Sequence, residues 1–245
     1  MAESSNELKT AATLYAEGLK EQPDNNLLAG RAYANAVEVG DFGLALKAVR
    51  TMQSHGIANP EMPLLRYADA FAQRDWTGTK LAIADLNASK NFAFMSPFLK
   101  AWEDTARGRD ATTAIAQAQA SNTAKYYLEE QLILNTLASG RDQQALALLA
   151  RVVERDEPRM GPVRLLAAQH FLAQNDETTA REILKKGPSG PEQRLLASIT
   201  AGQTKDVAQK VTPAIGLAFL FQRLSSDLAV QQAEFLALVM AQSGK

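Results

Sequence analysis

The stretch GDFGLALKAV, residues 40–49, places a glycine and an aspartate directly before an apolar run with helical spacing. Gly40 suits the left-handed position that ends a helix, where a Cβ atom is disfavoured. Asp41 can accept a hydrogen bond from a free backbone N–H of the next helix, and its charge suits the positive end of that helix. The stretch therefore predicts a tight turn between two helices.

Turns of this kind recur at a regular interval. Four further stretches resemble residues 40–42: RDW at 74–76, GRD at 108–110, GRD at 140–142 and QND at 174–176. From Asp41 onwards, the aspartates of these motifs follow one another at steps of 34, 35, 32 and 34 residues. A fixed period of this length predicts a repeated supersecondary unit, with one helical run before each turn and one after it.

The apolar spacing places the helices of each unit. The predicted first helices are 27–39, 61–73, 96–107, 125–138 and 161–173. The predicted second helices are 43–54, 77–87, 111–120, 143–154 and 177–186. A small residue recurs at one place in the second helices, where it lets paired helices approach closely: Ala45, Ala114, Ala145 and Ala180.

These motifs resemble the tetratricopeptide repeat family, of bacterial type. QPDNN at 22–26 is similar to the end of a second helix in that family, and Tyr33, Tyr67 and Trp102 share one position, eight residues before an aspartate. The resemblance implies an all-α fold, a right-handed α-solenoid of antiparallel helix pairs. It also implies a protein or peptide partner bound on a non-catalytic scaffold.

The resemblance divides the chain into three segments of one continuous solenoid. Residues 1–26 are interpreted as a partial N-terminal repeat, 27–190 as repeats, and 191–245 as a degenerate repeat with C-terminal capping or interface helices. GPSGP at 187–191 is interpreted as a longer loop between repeats. The start inside a repeat and the lack of cysteine favour an exported, periplasmic segment, and a cytoplasmic protein is the alternative.

Composition excludes several classes of function. The 245 residues carry a net charge of -1 with scattered basic residues, which argues against a nucleic-acid partner. There are no cysteines, so disulfides, thiolate chemistry and cysteine-ligated metals are excluded. No apolar run reaches the roughly 18 residues of a membrane-spanning helix.

No residue pattern of a catalytic, metal or cofactor site is present. His55 and His170 are the only histidines, and neither has a metal-ligand partner at helical spacing. Glu129 and Glu130 are adjacent, so on a helix they point about 100° apart. We therefore predict no catalytic residue, no metal and no cofactor. The alternative is an enzyme of the bacterial envelope on a helical scaffold, which would need an isolated acid in a cleft.

The family resemblance places a concave groove along the first helices. Polar residues on these helices are the predicted partner-binding residues: Arg31, Asn35, Glu38, Arg66, Asp69, Gln73, Lys100, Glu103, Gln131, Asn135, Arg164 and Gln169.

The last two predicted helices, 214–226 and 228–242, are more apolar than the polar-faced end of a solenoid should be. Two interpretations remain open. The final helix packs back on residues 192–210, or it forms an interface for a second copy or a partner through Phe235, Leu238 and Val239. If the interface is for a second copy, the second interpretation predicts a homo-oligomer through the C-terminal helices.

Overall fold

All regular structure in the described residues is helical. The computed structural model describes residues 2–155, 157–185 and 190–244. These ranges contain no β-strand, and they form fourteen α-helices and three short 3-10 turns. The predicted all-α class is confirmed.

The helices follow the predicted order, and most begin and end within a few residues of the predicted positions. They are α1 Ala2–Glu21, α2 Asn26–Val39, α3 Phe42–Ser54, α4 Met62–Ala72, α5 Trp76–Ser89, α6 Ser96–Ala106, α7 Thr112–Gln117, α8 Asn122–Ala138, α9 Asp142–Arg155, α10 Gly161–Leu172, α11 Glu177–Leu184, α12 Gly190–Thr200, α13 Pro213–Val230 and α14 Glu234–Ser243. Most of the GPSGP loop, residues 187–189, lies outside the described residues.

The chain separates into two compact units. The first consists of Met1–Ser96 and Ala218–Lys245, and the second of Pro97–Leu217. In the first unit α2 packs on α3, α4 packs on α5, and α14 packs on both α2 and α4. In the second unit α8 packs on α9, and α10 packs on α11 and α12. One continuous solenoid with segments 1–26, 27–190 and 191–245 stays a prediction.

The turns between paired helices share one backbone geometry. One residue is left-handed, and the N–H of the next residue donates to the carbonyl five residues before it at 2.7–3.1 Å. This hydrogen bond satisfies a carbonyl that the end of the helix leaves free. The left-handed residues are Gly40, Arg74, Gly108, Gly140 and Asn175.

Three of the five aspartates cap the following helix as predicted. A side-chain oxygen of Asp41, Asp75 and Asp176 accepts a hydrogen bond at 2.9–3.0 Å from the backbone N–H three residues later. Hydrogen bonds from Thr179 lower the pKa of Asp176 below its ordinary value. The Asp176 carboxylate therefore remains a charged acceptor at neutral pH, as suits an N-cap.

The capping prediction is wrong for the two GRD motifs. The cap of α7 is Ala111, and Asp110 bonds the side chain and backbone of Thr112 instead, which lowers the pKa of Asp110. Asp142 is the first residue of α9. In the GD motif the aspartate directly follows the left-handed glycine, whereas in GRD an arginine stands between them. Asp142 therefore comes one residue later relative to the turn than Asp41 does, and it falls inside α9 instead of at its cap.

The alanines predicted at close helix contacts are all buried. Ala45, Ala114, Ala145 and Ala180 retain at most a few per cent of their accessible surface. A larger side chain at these positions would overpack the contact. Their burial is what the predicted register of the second helices requires, and the close helix contact at each alanine stays a prediction.

The packing of the C-terminal helix is described within the first unit. This helix packs on α2 and α4 in the first unit, where Val239 and Met240 are fully buried. Val239 therefore belongs to the core of this unit, whereas Phe235 and Leu238 keep 36% and 40% of their surface exposed.

Candidate functional site

In the first unit the six predicted groove residues differ in exposure and in their partners. Arg31, Glu38 and Gln73 are exposed, whereas Asn35 is buried. The other two reach towards second helices. Asp69 pairs with Arg50 of α3 at 3.3 Å, and Arg66 pairs with Asp85 of α5.

In the second unit most of the predicted groove residues are bonded within the unit. Glu103 is buried and accepts from Arg107 at 2.7 Å, and Lys100 lies 2.5 Å from Asp104. The backbone carbonyl of Gln169 accepts from the N–H of Gln209 at 3.1 Å. Gln131, Asn135 and Arg164 are almost completely buried.

These buried residues link one first helix to the next. The indole Nε1–H of Trp102 donates to Gln131 at 2.8 Å, and Asn135 donates to Thr105 at 2.7 Å. The Nε–H of Arg164 donates to the Glu192 carboxylate at 2.8 Å. Buried polar groups are expensive unless they are bonded, so these contacts favour one helix arrangement over others.

The first unit contains the same kind of link. The hydroxyl of Tyr33 donates to Glu61 at 3.0 Å, and both side chains are buried. Burial and the Glu61 carboxylate raise the pKa of Tyr33 above its ordinary value, so the phenol remains a donor at neutral pH. The predicted groove therefore contains structural hydrogen bonds between helices.

C-terminal helices cover the aromatic position of the first helices in each unit. In the first unit the Tyr33 ring meets Phe235 of α14 edge to face, with centroids 5.7 Å apart. In the second unit Gly216, in the first turn of α13, lies so close to Trp102 that a Cβ atom there would be 2.0 Å from the ring. The helix faces that carry Tyr33 and Trp102 are therefore covered by other helices of the same chain.

The first unit contains an open pocket. Its volume is about 670 Å³, and it lies between the ends of α3 and α5 and the start of α4. Ligand pockets commonly measure about 300–1,000 Å³. The polar residues that line it are Gln53, Asn59, Arg66, Asp85, Ser89 and Asn91. We call it the α3–α5 pocket.

Arg66 organises one wall of the α3–α5 pocket. One terminal nitrogen of its guanidinium donates to Asp85, and the other donates to Gln53 Oε1 at 3.3 Å. Charge-assisted contacts of this kind fix the orientation of a long side chain. Arg66 thus connects the ends of α3 and α5 from its place on α4.

The loop that leads into α4 forms another wall. Gly56 is left-handed, and the N–H of Ile57 donates to the carbonyl of Met52 at 3.0 Å. Pro60 and Pro63 line the same wall and restrict its backbone. The pocket is therefore built from constrained backbone.

Sequence reasoning found only one residue of this pocket, Arg66. The others lie at or just after the ends of second helices, in the loop before α4 and at the start of α4. The N-terminal prolines of α4 were the available signal, because they predict a rigid loop beside the helix start.

Two features are absent from the described residues. No group of three or more His, Cys, Asp or Glu side chains there could hold a metal ion. No helix among them is long and apolar enough to cross a membrane.

No protein-family model, curated protein or solved structure matches the chain.

Proposed function

We propose that this protein is a non-catalytic interaction scaffold, a right-handed solenoid of antiparallel helix pairs that binds a peptide or protein partner. The α3–α5 pocket is the observation that supports this function best. It is concave, open to solvent and lined by both polar and apolar residues. Sites that bind a ligand by surface complementarity have this character.

The rigidity of the pocket supports the proposal further. Arg66 bridges two helices, and Pro60 in the loop and Pro63 in the first turn of α4 restrict the backbone there. A site that is already ordered loses little conformational freedom on binding, and more of the contact energy then appears as affinity. The same features would suit a docking site on a scaffold.

The test blocks the pocket without changing the helix that carries it. Ala88 is exposed and lines the pocket, whereas Ala84 is exposed on the same helix and does not line it. Tagged wild-type protein, Ala88→Trp and Ala84→Trp are compared in affinity capture from the source organism, with quantitative mass spectrometry. We expect partners that wild type and Ala84→Trp retain and Ala88→Trp loses. Equal capture by all three would contradict docking at this pocket.

A second candidate is self-association through the C-terminal helices. Val230, Phe235 and Leu238 keep 85%, 36% and 40% of their surface exposed within the first unit. Phe235 and Leu238 lie three residues apart on α14, and contiguous exposed apolar patches often mark an interface. This proposal is compatible with the scaffold, and its test is given in the Discussion.

A further inference from the structure

We infer that the α3–α5 pocket recognises an extended, uncharged peptide segment of a partner protein, mainly through the peptide main chain. This inference rests on the scaffold function proposed above and specifies the chemistry of its ligand. It follows from the charge, the hydrogen-bonding groups and the apolar groups of the pocket.

The pocket lining is electrically neutral. Arg66 and Asp85 are its only charged lining residues, and they pair with each other. An acidic ligand would compete with Asp85 for Arg66, and a basic ligand would compete with Arg66 for Asp85. Either ligand gains little, since forming its ion pair breaks an existing one. An uncharged polar ligand meets no such competition.

Three carboxamide side chains supply the polar contacts. Arg66 can only donate, so its bond to Gln53 Oε1 fixes the orientation of that amide and leaves its NH₂ group available. Asn59 and Asn91 each bring one amide donor group and one acceptor. A peptide group has the same complement, one N–H and one C=O per residue.

An extended segment fits these groups better than a helix does. In a helix the main-chain groups are already bonded to one another, except at the ends. An extended segment leaves its N–H and C=O groups free for side-chain amides. The α3–α5 pocket is thus chemically matched to the main chain of such a segment.

The apolar lining favours small side chains in the ligand. Ile57, Ala58, Pro60, Pro63 and Ala88 offer aliphatic surface, and no lining residue is aromatic. Sugars and nucleobases are usually held by stacking on aromatic rings, so this lining disfavours them. Short aliphatic side chains on the segment would bury apolar surface here.

The experiment uses a phage-displayed library of random linear peptides as the probe. Peptides are selected on the full-length wild-type protein and counter-selected on Ala88→Trp. Synthetic versions are then measured by fluorescence anisotropy. We expect the dissociation constant to change by less than about twofold between about 0.05 and 0.5 M salt, because no ligand charge is involved.

Two sets of variants test main-chain recognition. N-methylation of central peptide residues removes one N–H at a time, and we expect about threefold to tenfold weaker binding at the bonded positions. Asn91→Asp replaces a donor with an acceptor at nearly the same size, and we expect a similar loss. Asn87→Asp is the matched control, since Asn87 lies outside the pocket and its Oδ1 only accepts from Ser96.

The outcomes separate this inference from the scaffold function. Peptides whose binding depends on a charged side chain, falls strongly with salt and tolerates N-methylation would overturn the main-chain inference and leave the scaffold in place. Failure to select any peptide that prefers wild type to Ala88→Trp would overturn the main-chain inference alone, and the capture experiment then decides the scaffold function separately. Circular dichroism melting of each variant verifies that the loss of binding is not loss of folding.

Discussion

At the scale of single residues, the Trp102 ring restricts position 216 to glycine. Gly216 lies in the helical stretch of α13, where glycine costs about 1 kcal/mol relative to alanine. A Cβ atom at this position would lie 2.0 Å from the Trp102 ring, and Trp102 is buried and held by Gln131. We therefore expect Gly216→Ala to lower the unfolding free energy by about 1–3 kcal/mol, measured by urea denaturation.

Gly30 is the control for this substitution. It also lies inside a helix, α2, but an added Cβ atom would meet no neighbour within 4 Å. Gly30→Ala should stabilise the protein by about 0.5–1 kcal/mol through helix propensity. Equal effects of the two substitutions would contradict the close approach of Gly216 to Trp102.

His170 is a buried residue whose hydrogen bonds depend on its charge. The N–H of Val211 donates to its Nδ1 at 3.0 Å, and its Nε2 lies 3.3 Å from Asp142 Oδ1. Only the neutral ring can accept from Val211. Burial lowers the pKa of His170, and nearby Lys210 lowers it slightly, although the Asp142 carboxylate opposes both.

The lowered pKa of His170 gives stability a pH dependence with a definite sign. The unfolded chain takes up a proton near the ordinary histidine pKa of about 6.5, whereas the folded chain does so only at lower pH. The stabilisation is therefore complete above about pH 6.5 and is lost as the pH falls towards the folded pKa. We expect the Tm to fall from about pH 7.5 to about pH 5.5, and to fall less in His170→Asn, whose Oδ1 can still accept from Val211.

His55 provides the comparison for this pH dependence. It is the only other histidine, and it is exposed at the end of α3. His55→Asn should keep the wild-type slope of Tm against pH. The His170 mechanism is wrong if His55→Asn, and not His170→Asn, reduces that slope.

At the scale of elements, the left-handed residue of each turn can be exchanged in both directions. Arg74 has φ 56° and Gly40 has φ 78° at equivalent places in two turns. A side chain in this conformation costs roughly 1–2 kcal/mol, part of which the greater freedom of glycine in the unfolded chain offsets. We expect Arg74→Gly to raise the unfolding free energy by about 0.5–1 kcal/mol.

The reverse substitution, Gly40→Ala, should lower the unfolding free energy by about 1 kcal/mol. Both values come from thermal or urea unfolding of the full chain. If Gly40→Ala is neutral, the turn relaxes without the left-handed residue, and the shared turn geometry does not contribute to stability.

The turns and helices could be predicted because their signals are local. Gly40 and Asp41 act within one turn, and apolar spacing reports a helix face over a few residues. The two GRD motifs were the exception, because a single extra residue moves the aspartate relative to the cap. That shift depends on which residue becomes left-handed, and sequence alone did not show it.

The groove and the pocket depend on contacts between distant residues. Gln131 is a polar residue on a half-apolar helix. From the sequence alone it could equally be an exposed groove residue or a buried partner of Trp102. Only the packing of α6 beside α8 decides between them. The α3–α5 pocket likewise joins Gln53, Arg66 and Asp85, which share no sequence motif.

At the scale of the whole molecule, the first unit combines the two ends of the chain. Residues from 218 onwards complete a unit that begins at the N-terminus, through α14 on α2 and α4. We expect removal of residues 231–245 to reduce hydrogen-exchange protection of α2 and α4, because it exposes the surface that Val239 and Met240 cover. Amides of α8 and α10, in the second unit, serve as the internal control.

The two faces of α14 lead to opposite expectations for neighbouring residues. Val239 is fully buried, whereas Leu238 keeps 40% of its surface exposed. Val239→Asp would bury an unpaired charge, so we expect it to destabilise the first unit by about 3–5 kcal/mol and to reduce helicity. Leu238→Asp should leave helicity nearly intact, because its charge can reach solvent.

The exposed face then decides whether the protein self-associates. If Val230, Phe235 and Leu238 form an interface between copies, light scattering of the parent protein should give a mass that rises with concentration, and Leu238→Asp should shift it to that of a monomer. Phe235→Asp is the less specific variant, since Phe235 also packs on Tyr33. A parent protein that stays monomeric at high concentration would contradict the interface. Phe235 and Leu238 would then be isolated exposed apolar residues, which are common on the surfaces of monomers.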